Sequence, residues 1–216
     1  MRLYRRYASE IVEASDLCPW AERARRQGRT RERVLLQPDS ENVMPSLQAI
    51  IELAASDVDV ALLIYPRLHM GRGAFERFAG RIRDADVGSR ELGSAPFVAA
   101  VFHPEAQPDM SEPERLVPFL RRTPDPTIQL LRGSVLDRVR ESIPQGTQFF
   151  DPQALEALHE PQPSLRERIA KANLITTVKI GVDTLTRRMD DIVHDRQRSY
   201  GALVQYSEQY AEPTHA

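Results

Sequence analysis

Over the first fifteen residues the apolar positions Leu3, Tyr7, Ile11 and Val12 fall at i, i+4, i+8 and i+9, the stripe of a helix that buries one face. The run Ser15-Asp16-Leu17-Cys18-Pro19 interrupts it. Pro19 suits the first turn of a new helix, and its ring biases Cys18 toward an extended backbone. A second short helix is therefore predicted over residues 19–27, closed by Gly28, with Cys18 at its N-terminus. Segments rich in β-formers follow at Arg33 to Leu36, Val58 to Tyr65 and Phe97 to His103. Helical patterns separate them at about 45–56 (Leu47, Ile50, Ile51, Leu53) and 74–87 (Phe75, Phe78, Ile82), a βαβαβ rhythm. A fourth strand is expected at Thr127 to Leu131 and a further helix from about Ser134 to Ser142. The fold class is α+β: a mixed sheet of about four strands with helices covering one face.

Prolines divide the remainder. Pro104, Pro108, Pro113, Pro118, Pro124 and Pro126 leave no room for a long helix, so residues 104–126 read as an ordered loop or lid. Pro152, Pro161 and Pro163 mark a linker over 151–163 between a core domain, 1–150, and a C-terminal helical extension, 164–216. Ser164-Leu165-Arg166-Glu167 is a capping box, and beyond it Leu165, Ile169, Ala172, Ile175, Val178, Val182, Leu185, Met189 and Ile192 recur at helical spacing. This predicts one long amphipathic helix, weakened at Gly181, whose stripe is covered by the core or by the same helix of a second chain. A homodimer through this helix is the expectation.

Composition narrows the classes of function. With 29 basic and 31 acidic side chains the net charge is −2, which removes the bulk attraction to phosphate backbones that a nucleic-acid binder needs. Lys171 and Lys179 are the only lysines, so the cationic surface is almost entirely arginine, the side chain that holds carboxylates in a bidentate fork. The single cysteine forms no intramolecular disulfide, the first twenty residues lack a secretory apolar core, and no stretch approaches the ~18 apolar residues of a membrane span. A cytoplasmic protein acting on a small molecule, without nucleic acid or membrane, is the expectation.

Cys18 is the sharpest chemical feature, because the amides and dipole of a helix N-terminus favour a thiolate, although a buried cysteine also serves as a small hydrophobe. Trp20, the only tryptophan, packs or stacks on a ligand. His103 ends a strand where a side chain can point into a cavity; His69, His159, His194 and His215 read as structural or solvated. No histidine pair has metal-ligand spacing. Arg122 and Arg132 flank the fourth strand and could clamp an anion, while Gly71-Arg72-Gly73 reads as a turn and the arginines between 23 and 33 as a solvated face.

Leu17-Cys18-Pro19-Trp20-Ala21, Phe102-His103-Pro104 and Arg122-Thr123-Pro124-Asp125-Pro126-Thr127 with Leu130-Leu131-Arg132 form a set in this order. The set resembles the bacterial and plant family catalogued as domain of unknown function fourteen-fifteen, over roughly residues 1–145. The chain departs from that pattern with Arg121 in place of the usual asparagine, with Thr123 and with Gln129. The resemblance implies that Cys18, His103, Arg122 and Arg132 share a site, and supplies no reaction.

Three functions are compatible with these residues. The first is a redox enzyme with a haem-type cofactor ligated by Cys18 or His103, with Arg122 and Arg132 pairing its propionates. The second is a cofactor-free transferase or hydrolase in which Cys18 attacks, His103 is the base and the arginines, with Trp20, bind an anionic substrate. The third is a non-catalytic ligand-binding or assembly protein that uses the C-terminal helix.

Overall fold

The computed structural model describes residues 2–15, 17–18, 21–37, 39–90, 95–142 and 164–209, with the side chains of 138–142, 165 and 202–209 excepted. The expected linker at 151–163 lies outside the described residues, as do Pro19 and Trp20. Four strands, β1 (Thr30–Val34), β2 (Val60–Ile64), β3 (Phe97–Phe102) and β4 (Thr127–Arg132), form a mixed sheet in the order β1-β2-β4-β3. β1 runs parallel to β2, and β4 is antiparallel to both β2 and β3. The α+β class follows.

Register explains how the sheet is covered. Residues opposite one another in antiparallel pairs share a face, so Ala61, Leu63, Ile128, Leu130, Phe97 and Val101 point one way. They pack against α3 (Met44–Ala54) and α4 (Arg72–Gly88) through Ile50, Leu53, Phe75, Phe78 and Ile82. The opposite face carries Val60, Leu131, Ile64 and Phe102, and it too is covered, against the expectation of a one-sided sheet. Leu3 and Tyr4 of α1 (Arg2–Arg6) meet Ile64, while Ala24 of α2 (Ala21–Arg26) and Val135 of α6 (Gly133–Ser142) meet Val60 and Leu131. A central strand buried on both sides explains why Val60-Ala61-Leu62-Leu63-Ile64 is continuously apolar rather than alternating.

Two local expectations shift. β1 begins three residues earlier than the expected Arg33 to Leu36 and ends at Val34. It is an edge strand of Arg31, Glu32 and Arg33 recruited by pairing with β2, and its charges suit an edge. The proline-rich segment contains α5 (Pro113–Leu120), with Pro113 in its first turn, where a missing N–H costs nothing. Its Leu116, Phe119 and Leu120 are buried.

The tail is two helices rather than one. α7 (Leu165–Ile180), opened by the expected Ser164/Glu167 capping box, ends at Gly181, whose φ of 91° is unfavourable for any residue with a side chain. α8 (Val182–Gln209) then starts afresh. Leu185, Met189 and Ile192 are at most 1% exposed, packed with Tyr7, Ile11, Leu17, Phe102, Leu116 and Phe119. The chain's own core thus covers the α8 part of the stripe. In α7 the buried positions are Ala170, Asn173 and Thr177, and the predicted stripe residues Ile175 and Val178 face outward at 62% and 65% exposure. α7 packs along α5, and its Leu174 and Ile180, outside the predicted stripe, pack against the cluster that contains Leu116, Phe119 and Leu120 of α5.

Candidate functional site

The N-terminal helix continues past α1 as a π-helical segment, Tyr7–Glu13, whose wide turns close with Ala14 N–H on the Ser9 carbonyl (3.1 Å) and Leu17 N–H on the Val12 carbonyl (2.9 Å). This turns Leu17 into the core and leaves Cys18 half-buried beside it. α2 starts at Ala21, whose N–H donates to the Cys18 carbonyl (3.3 Å), and it has only six residues. A helix that short offers little dipole. Arg121 adds positive charge within electrostatic reach of Cys18. That guanidinium lies over the Phe102 ring, 5.5 Å from its centre; Phe102 meets the Tyr7 ring edge-on at 6.4 Å, and charge on Cys18 acts on both Arg121 and Tyr7.

Arg121 is half-buried, and its affinity for its proton is lowered chiefly by that burial and further by Arg166. It remains a cation, since guanidinium stays protonated in proteins. Among the described residues no carboxylate is paired with it, whereas most arginines around it have one. It lines a cavity of about 190 Å³ together with Arg72, Glu76, His103, Glu114 and Arg166.

His103 is buried, and both ring nitrogens are engaged. Nδ1 accepts the Glu105 N–H (3.3 Å), which places the proton on Nε2, where it is donated to the Met70 carbonyl (3.0 Å). Burial, the leading influence, lowers its pKa and keeps it neutral. The imidazole therefore pins the 66–71 loop to the end of β3 and has no lone pair directed at the cavity it lines. Its backbone N–H donates to the Arg121 carbonyl (3.1 Å), and Arg122 Nε donates to the Pro104 carbonyl (2.9 Å), so the Phe-His-Pro and Arg-Thr-Pro segments interlock.

The two arginines expected to act together are apart. Arg122 is paired with Asp190 of α8 at 2.7 Å. Arg132 donates to the carbonyls of Leu53, Ser56 and Val58 at the end of α3 and covers the Phe97 ring at 4.9 Å. Arg132 closes β4 at the far end from His103, five strand positions or about 16 Å beyond Thr127. The structure thus joins the His103 and Arg122 segments, leaves Cys18 outside the cavity that His103 lines, and places Arg132 at the other end of β4.

Of the arrangement expected for a haem, His103 has both ring nitrogens engaged, and Arg122 and Arg132 stand at opposite ends of β4, where they do not pair one set of propionates. Among the described residues no group of three His, Cys, Asp or Glu side chains is placed to hold a metal ion.

Sequence reasoning did not anticipate Asp125. The carboxylate, 0% exposed, accepts from Arg196 and from Tyr200 (2.8 Å) on α8, with Tyr4 of α1 nearby at 3.4 Å, and its carbonyl accepts from Thr123 and Thr127. The only sequence signal is an acid between two prolines, which also describes an ordinary surface turn. In the sequence Arg121 was indistinguishable from its neighbour Arg122 without the backbone that turns one toward the cavity.

No curated protein and no solved structure matches the chain significantly. No helix among the described residues is long and apolar enough to cross a membrane. The model of the family described as Protein of unknown function (DUF1415) matches residues 2–162, a span that takes in all three motifs, and the chain belongs to that family.

Proposed function

We propose that the chain is a cofactor-free thiol enzyme, a transferase or hydrolase in which the Cys18 sulfur bonds to an electrophilic carbon of a small anionic molecule held near Arg121, expels that carbon's leaving group, and is freed again by transfer to an acceptor or to water. The observation that supports this most is Arg121 itself, a half-buried cation with no carboxylate partner among the described residues, which lines a cavity and feels charge on Cys18 from outside that lining. A cation beside a thiol favours the thiolate and attracts an anionic reactant in the same place. His103 serves as scaffold in this reading, not as base, because its acceptor nitrogen is held by a backbone N–H. The small cavity and the net charge of −2 suit a small molecule rather than a nucleic acid, and thiol chemistry suits a reducing cytoplasm.

Alkylation tests the reading. At low salt Cys18 reacts with iodoacetate faster, relative to neutral iodoacetamide, than a model thiol does, and Arg121→Gln lowers that ratio several-fold. A Cys18 inert to both reagents, or a ratio unmoved by Arg121→Gln, would sink it. A second reading, assembly through the tail, is favoured by the exposed Ile175 and Val178 one turn apart on α7. Sedimentation of the native chain against Ile175→Ser/Val178→Ser decides it.

A further inference from the structure

The cavity beside Arg121 has a second cation that comes from the C-terminal extension. Arg166, in the first turn of α7, lines it together with Glu114 of α5, and no carboxylate among the described residues is paired with Arg166 or with Arg121. Arg72, the third arginine there, is held by Glu76 at 2.9 Å. Glu114 and Arg166 are both exposed, so solvent screens both charges, whereas Arg121 is half-buried. The position of Arg166 is fixed locally: Ser164 N–H donates to the Glu167 carboxylate (2.6 Å), Glu167 N–H donates to the Ser164 hydroxyl (3.2 Å), and α7 packs along α5. Arg121 and Arg166 repel one another, so their convergence costs free energy that a shared counter-anion removes.

We propose that Arg121 and Arg166 form a two-armed clamp for a small dianion, a dicarboxylate or a phosphate monoester, in which Arg121 holds one charged group at the floor and Arg166 selects for the second. Arg166 lies beyond residue 162, where the family match ends, so the extension sets the specificity of a site built mainly from the family domain. This rests on the anionic-substrate reading above and deepens it.

The full chain is titrated with acetate, malonate and inorganic phosphate, following protection of Cys18 from iodoacetamide. Malonate or phosphate, or both, protect at concentrations where acetate does not; response to malonate alone assigns dicarboxylates, and to phosphate alone phosphate esters. Arg166→Gln raises the half-protecting dianion concentration by about fivefold or more and leaves acetate unchanged, while Arg121→Gln abolishes protection by all three. A dianion midpoint unchanged in Arg166→Gln, or acetate and dianions weakened equally, overturns the clamp. If the iodoacetate preference of Cys18 persists in that case, the reading of Cys18 with Arg121 stands without it; if the native chain shows no such preference, both fall.

Discussion

Leu185 and Ile175 occupy equivalent places in one sequence pattern and opposite environments in the fold, so truncating each measures what tertiary packing adds. Leu185 is 0% exposed and sits among Tyr7, Ile11, Leu116 and Phe119. Leu185→Ala removes three buried carbons, about 2.4 kcal/mol of transfer free energy at ~0.8 kcal/mol each, and the unfilled space adds about 1 kcal/mol. A loss of about 3–4 kcal/mol is a large share of a typical stability of roughly 5–15 kcal/mol and lowers Tm by about 6–14 °C. Ile175→Ala acts on a side chain that is 62% exposed and gains helix propensity, so it changes stability by less than about 0.5 kcal/mol. Urea unfolding followed by circular dichroism, at two protein concentrations tenfold apart, checks both. The reasoning is refuted if Leu185→Ala costs below about 1 kcal/mol, or if the two substitutions cost the same. It is also refuted if the Leu185 contribution grows with protein concentration, because the seam would then be intermolecular.

Asp125→Asn leaves the Arg196 guanidinium facing an uncharged partner at a fully buried site and costs about 2–4 kcal/mol, read by urea unfolding, with α8 loosened as seen in faster proteolysis of the tail. Arg2 (2.6 Å) and Arg6 (2.8 Å) hold the Asp195 carboxyl well below the usual range. Its contribution is therefore complete above the ordinary aspartate value of about 3.9 and is lost as pH falls toward the folded value; acid titration of Asp195→Asn shows a shallower decline below about pH 4 than the native chain. Burial raises Tyr4, Tyr7 and Tyr65, so folding opposes their ionisation and stability falls as pH rises above about 10. Tyrosinate absorbance at 295 nm should rise cooperatively with loss of helix; smooth ionisation before unfolding would contradict their burial.

Local chemistry made much of this protein legible. The α3, α4 and α6 helices and three of the four strands follow from spacing and β-formers alone, because each buries an apolar set with its own period. The Ser164/Glu167 box and the Gly28 closure follow from backbone groups that need partners at a helix end; Arg29 N–H reaches the Ala24 carbonyl at 2.8 Å across Gly28, whose φ is 66°. That the Phe-His-Pro and Arg-Thr-Pro segments belong together was also legible, through motifs rather than through distance.

What each residue does there was decided only by the tertiary structure. Whether an arginine is a ligand or a clasp depends on which carbonyl or carboxylate arrives from elsewhere in the chain. Asp190 claims Arg122, the end of α3 claims Arg132, and Arg121 is left facing a cavity. His103 looked available because sequence does not reveal that Met70 and Glu105 meet both its nitrogens. A strand as charged as Thr30–Val34 forms because β2 offers it a ladder, and α7 turns Ile175 outward because Leu174 and Ile180 pack on the cluster that contains α5 instead. Spacing along the chain determines which face an element can bury. The partner that covers that face is set by contacts between distant segments, and here those contacts also decide which arginine faces the cavity.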